Sequence, residues 1–191
     1  MRLGVFGGSF DPVHHGHLIV AAEAWRRLDL TQVRLIPARQ QPLKAGGHRA
    51  SAADRLAMLR LAVADDERFV VDDREVNRPG PSYTVDTLRE LHTEFPQAAL
   101  CLLLGSDTAR DLPRWHEAAA LRSLATIVML TRPGTPVPSH PLVARTLEVP
   151  AVDISATGIR ERCRRRESVR YLVPAPVAEY IAERRLYVDE D

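Results

Sequence analysis

The residues best suited to chemistry lie in one early stretch, Gly7-Gly8-Ser9-Phe10-Asp11-Pro12-Val13-His14-His15-Gly16-His17, and their types suit the handling of phosphate. Paired glycines let a backbone approach a ligand closely and turn sharply. Ser9 offers a hydroxyl and a main-chain N–H. A helix that follows presents unpaired N–H groups and the positive end of its dipole, which together attract an anion. His14 and His17 stand three apart around Gly16, so both rings can face one concavity as donors to phosphate oxygens. Three histidines also raise a zinc site, but no His-Glu-x-x-His pattern or distant cysteine pair accompanies them. The dinucleotide fingerprint and the Walker lysine loop are absent. For Asp11 a turn role before Pro12 competes with that of a metal ligand.

A second stretch, Ile154-Ser155-Ala156-Thr157-Gly158-Ile159-Arg160, reads as a helix start. Ser155 or Thr157 serves as N-cap, and an oxyanion bound there would share the helix N-terminal donors. Arg160, about one turn in, can reach back with a bidentate fork. Lys44 is the only lysine among 26 basic residues. Either a compact point charge is needed there, where arginine will not serve, or the lysine survives by chance.

These groups need elements to carry them. Arg2–Phe6 reads as a first strand ending in Gly7-Gly8, and Gly16–Leu28 has a helical apolar period. Val33–Pro37 reads as a strand, Ser51 opens a helix with a capping box, and Phe69–Val71 is a short strand before a polar loop, Asn77–Ser82. A helix over Tyr83–Phe95 precedes the clearest central strand, Ala98–Leu104. A helical stretch broken at Pro113 follows, then a strand at Ala125–Leu130, a proline-rich loop from Pro133 to Pro141, and a last strand at Leu147–Val149. Thr157–Arg166 and Pro176–Arg184 complete the pattern as helices. Strands alternating with helices predict an α/β fold, a doubly wound parallel sheet with helices on both faces. In such sheets ligands sit beyond the carboxyl ends of the strands, where both stretches fall.

The 191 residues predict a single domain (1–191), with 45 % apolar and 27 % charged residues. No apolar run approaches the ~18 residues of a membrane span, and the run Leu3–Phe6 breaks into glycines too soon for a signal peptide, so a cytoplasmic location is expected. A net charge of +1 gives no pull toward nucleic acid or membrane. Arg162, Arg164, Arg165, Arg166 and Arg170 are interrupted by Glu161 and Glu167 and read as a solvated helical face rather than an RNA patch. Cys101 reads as a small core residue, and Cys163 has no partner at metal-ligand spacing. Nothing in the spacing fixes an oligomeric state.

Gly8-Ser9-Phe10-Asp11-Pro12 with His14-His15-Gly16-His17 resembles the first signature of the nucleotidyltransferase superfamily that bears a His-x-Gly-His motif. Ile154 to Arg160 resembles its second, Ile-Ser-x-Thr-x-Ile-Arg. The resemblance implies a Rossmann-like fold and attack on the α-phosphate of a nucleoside triphosphate, with Mg²⁺ bridging β- and γ-phosphate oxygens and held mostly by substrate and water. The attacking phosphate monoester is already an anion near neutral pH, its second pKa being about 6, so no general base is required. Three further segments narrow the resemblance to the bacterial nicotinate-mononucleotide adenylyltransferases: Pro81-Ser82-Tyr83-Thr84-Val85-Asp86-Thr87-Leu88, Gly105-Ser106-Asp107 and Pro113-Arg114-Trp115-His116.

That family implies adenylyl transfer from ATP to nicotinate mononucleotide. His14, His17, Lys44 and Arg160 would do the catalytic work. ATP would meet Gly8, Ser9, Phe10, Gly105, Asp107, Ile154, Ser155 and Thr157 besides the histidines and Arg160, with the 155–191 segment completing its site. The mononucleotide would meet Gly7, Ser9, Lys44, Tyr83, Thr84, Trp115 and His116. Trp115 can stack on a pyridine ring or simply pack, and amides near Tyr83-Thr84 and Trp115-His116 can hold a ring carboxylate. Asp107 can accept from ribose hydroxyls or cap a helix. Where the family has Pro-Pro-His-Lys, this chain has Gln41-Pro42-Leu43-Lys44, with no ring at Leu43. Another acceptor of the same superfamily, or a non-catalytic nucleotide-sensing module, are the alternative readings.

Overall fold

Alternating side chains along the strands feed two apolar layers, and that alternation builds the molecule. The computed structural model describes residues 1–43, 47–134 and 140–188. Six strands, β1 (Arg2–Gly8), β2 (Gln32–Pro37), β3 (Phe69–Val71), β4 (Ala99–Gly105), β5 (Thr126–Thr131) and β6 (Arg145–Glu148), form one sheet in the order β3-β2-β1-β4-β5-β6. Every pairing is parallel. The order reverses between β1 and β4, which opens a crevice beyond their carboxyl ends.

On one face Val33, Leu35, Cys101, Leu103, Val128 and Leu130 join a core with helices α1 (His15–Arg27), α2 (Ala52–Ala62), α7 (Ala156–Arg164) and α8 (Ala175–Glu183). On the other, Leu3, Val5, Leu100, Leu102, Ile127 and Met129 meet α4 (Thr84–Glu94), α5 (Ser106–Arg110) and α6 (Leu121–Leu124), all of which follow the short α3 (Arg74–Asn77) in the chain. The expected doubly wound sheet, helices on both faces, is the one observed.

Two local expectations change. β1 does not end before the glycines: Gly7 and Gly8 pair in register with Ile36 and Pro37, so they extend the strand. The turn falls instead at Phe10, whose φ of 47° is left-handed. Arg74–Asn77 forms α3, a turn too short to leave a periodic signal. The stretch around Pro113 is broken as expected, into α5, two 3-10 turns (Leu112–Arg114 and Ala118–Ala120) and α6. The Ser51 cap is as expected, its hydroxyl accepting the Asp54 N–H at 3.1 Å. Of the proline-rich loop, residues 135–139 lie outside the described residues.

Candidate active site

A cleft of about 970 Å³ runs along the carboxyl ends of β1, β4 and β5, near the top of the roughly 300–1,000 Å³ that ligand sites span. Its walls bring together Gly7, Gly8, Ser9, Phe10, His14 and His17 from the first stretch with Ile154, Ser155 and Arg160 from the second. The two stretches touch directly: an Arg160 guanidinium N–H donates to the Asp11 carbonyl at 2.7 Å. A second Arg160 nitrogen donates to the Thr157 hydroxyl at 3.1 Å. Neither acceptor is a carboxylate, so neither brings a counter-charge to the guanidinium. Thr157 is not on the cleft wall, so its hydroxyl orients Arg160. Ser155 proves to be the N-cap of α7, accepting the Gly158 N–H at 3.1 Å.

The imidazoles of His14 and His17 stack with centroids 3.7 Å apart. Gly16 makes this possible, since a Cβ there would lie 3.0 Å from His14 Nδ1 and 3.6 Å from the Ile154 carbonyl. The His14 N–H donates to His17 Nδ1 at 3.3 Å, which assigns the His17 proton to Nε2. Burial, with the charge of His15 added, pulls His14 down to about 4. Burial, with the charge of His14 added, pulls His17 down to about 3. Both rings are therefore neutral near pH 7, and in the free protein they act as hydrogen-bond donors rather than as charges. The Phe10 ring is buried and meets the His17 ring edge-on at 5.1 Å, so only its main chain can face a nucleotide.

Beneath this loop lie groups without a sequence signal. Arg55, 1 % exposed, donates to the Ser9 carbonyl at 2.8 Å. Asp11 accepts the amides of Arg49 and Ala50 at 2.7 and 3.1 Å and the Tyr187 hydroxyl at 2.8 Å. These bonds give its carboxylate a positioning task and leave it badly placed as a metal ligand. The Ser9 hydroxyl donates to Gln41 Oε1 at 2.8 Å. Gln41, Pro42 and Leu43 reach the cleft wall, and Leu43 brings an apolar side chain to it. Lys44 lies outside the described residues.

At the other end of the cleft Tyr83, Thr84, Trp115 and His116 come together, as the sequence suggested. The Tyr83 and His116 rings pack at 4.4 Å. Trp115 both packs on the second core and lines the cleft, so its two readings coexist. Its N–H is spent on the Leu112 carbonyl at 3.1 Å, which removes that amide from the set able to hold a ring carboxylate. Gly105 caps α5, so Asp107 is not the cap; its exposed carboxylate stands 3.7 Å from Arg110 on the cleft wall. Arg132, just after β5, and Glu75 line the cleft as well, and neither has a sequence signal.

Residues 5–162 match the family described as cytidylyltransferase-like. A Thermus thermophilus protein named as a probable nicotinate-nucleotide adenylyltransferase is 48 % identical, over 98 % of this chain and 100 % of its own. A Roseiflexus castenholzii protein of the same name is 48 % identical, over 97 % of this chain and 98 % of its own. Among solved structures, the Plasmodium falciparum nicotinic acid mononucleotide adenylyltransferase complexed with NaAD superposes with a TM-score of 0.79 at 17 % identity, covering 97 % of each chain.

Proposed function

The chain belongs to the cytidylyltransferase-like family and, within it, to the nicotinate-nucleotide adenylyltransferases; from that premise we propose that its cleft joins nicotinate mononucleotide to the AMP half of ATP, giving deamido-NAD and pyrophosphate in NAD biosynthesis. The observation that carries the reading is the Arg160 bond to the Asp11 carbonyl, which makes one cleft wall out of two distant stretches. The acceptor phosphate attacks the α-phosphate in line, with no covalent intermediate. The cleft's task is then to position two anions and to steady the charge that moves onto pyrophosphate.

His17 Nε2–H and the Arg160 guanidinium serve that charge, with His14 beside them. Gly8, Ser9, Phe10 and Ile154 form the bed of the triphosphate, Ser155 and Thr157 hold Arg160's helix, and Gly105 and Asp107 take the ribose side. Gly7, Tyr83, Thr84, Trp115 and His116 take the acceptor, with Lys44 proposed for the phosphates between. Among the described residues no cluster of three acidic, histidine or cysteine side chains could hold a metal ion, and Asp11 is already engaged. The proposed Mg²⁺ would come with the triphosphate, held mostly by phosphate oxygens and water, and when bound would neutralise phosphate charge. No helix among the described residues is long and apolar enough to cross a membrane, and a cytoplasmic location is part of the proposal.

The test is pyrophosphate release with ATP and nicotinate mononucleotide, nicotinamide mononucleotide or phosphopantetheine in parallel. Turnover is expected with the first acceptor. His17→Ala is expected to lower kcat by about 10²–10³, the usual loss for one transition-state donor, with the melting temperature held. ATP binding without pyrophosphate release from any acceptor would instead mark a nucleotide-sensing module.

A further inference from the structure

Glu75 is a buried carboxylate, 7 % exposed, on the wall of the acceptor end of the cleft. Its burial is unlike that of Asp72, which pairs with Arg34 at 2.9 Å and Arg74 at 2.8 Å. Glu75 instead faces two hydroxyls. Thr87 Oγ1 donates to Glu75 Oε1 at 2.7 Å, and the Ser82 hydroxyl lies close enough to favour the ionised form of the same carboxylate. Both hydroxyls also accept an N–H. Ser82 Oγ accepts the Arg39 N–H at 2.9 Å, and Thr87 Oγ1 accepts from Arg78 at 3.1 Å. With N–H donors on their oxygens, both hydroxyls have a proton to give and face the Glu75 carboxylate; Thr87 Oγ1 has the Tyr83 carbonyl, at 3.4 Å, as a longer second acceptor. Burial raises this carboxyl above its ordinary range, and the two hydroxyls and the nearby Arg78 charge oppose the rise by favouring the ionised form.

The consequence falls on Ser82. Its N–H donates to the Gln40 carbonyl at 2.9 Å, and its hydroxyl, which accepts the Arg39 N–H, sets the residues just beyond β2 beside Glu75. The next two residues, Tyr83 and Thr84, open α4 and line the acceptor end. We infer that Glu75 is a positioning residue for the acceptor: its carboxylate orients Ser82 and Thr87, and so fixes the Tyr83-Thr84 segment that receives the pyridine mononucleotide. The inference rests on the adenylyl-transfer reading above.

Steady-state kinetics of the full chain, with ATP and nicotinate mononucleotide varied separately, test it in Glu75→Gln and Ser82→Ala. A glutamine offers one acceptor and turns an NH₂ toward a hydroxyl proton. In both variants the KM for nicotinate mononucleotide is expected to rise about tenfold, the worth of one buried hydrogen bond, and the KM for ATP to stay within about twofold. The double variant is expected to be no worse than Glu75→Gln, since both break one network. Should Glu75→Gln fail to fold, Ser82→Ala, at a half-buried position, carries the same measurement. An unchanged acceptor KM, or equal rises for both substrates, would overturn the inference alone. A wild-type protein that turns over no nicotinate mononucleotide would overturn the functional reading and this inference with it.

Discussion

Two imidazoles stacked 3.7 Å apart cannot both take up protons cheaply, and here burial already opposes the first. An unfolded histidine titrates near 6.5, whereas His14 and His17 are pulled down to about 4 and about 3 in the fold. Below pH 6.5 the unfolded chain therefore binds protons that the folded chain refuses. That makes stability fall with pH from about 6.5 towards 4, at up to about 1.4 kcal/mol per pH unit for each ring. Above 6.5 both states carry neutral rings and the pair adds no slope. A series of thermal melts between pH 4.5 and 7.5 checks this: His17→Gln is expected to flatten the acid side relative to the wild type. Parallel curves would show that the stacked pair is not the source.

At the scale of elements, Gly16 is in an ordinary helical conformation in the first turn of α1, so its small size serves His14 rather than the backbone. Alanine would by itself favour the helix by up to about 1 kcal/mol. Its Cβ, however, would press on His14 Nδ1 from 3.0 Å. Gly16→Ala is expected to leave the melting temperature unchanged or slightly raised while kcat/KM for ATP falls at least about tenfold, the effect of a misplaced donor. A proportional loss of stability and activity would contradict this division.

The elements themselves are legible where physics is local. Ala99–Gly105 is a continuous apolar run, as a strand covered on both faces must be, and Ser51 announces α2 through its cap. The end of β1 is not, because Gly7 and Gly8 suit a turn, yet the β2 ladder claims them. Much of the candidate site is legible through its two signature stretches. Arg55 and Tyr187 are not, because each is placed by a contact with residues far along the chain, and Glu75 is not, because its partner Thr87 lies on the next helix; none leaves a local pattern.

For the whole molecule, the binding of a triphosphate is a clamp across distant segments. A ligand that binds the folded state alone adds about 2.7 kcal/mol at a hundredfold excess over Kd, and in a chain of this size each kcal/mol moves Tm by roughly 2–4 °C. ATP is thus expected to raise the melting temperature by several degrees. Arg160→Ala is expected to shrink that rise markedly at the same ATP concentration, because it removes the cation and unties the second stretch from the first. Scanning fluorimetry with and without ATP measures both, and an equal rise in the variant would place the triphosphate elsewhere.

The tie between Tyr187 and Asp11 bears on how the protein is made. A ribosome delivers the histidine loop early and Tyr187 some 170 residues later, at rates of about 5–20 residues per second. Until that tyrosine emerges, the Asp11 carboxylate lacks its hydroxyl partner, and Arg160, only slightly earlier in the queue, has scarcely reached its carbonyl. A nascent chain therefore carries half a pocket until both distant segments have followed the histidine loop, and competence for ATP waits on them.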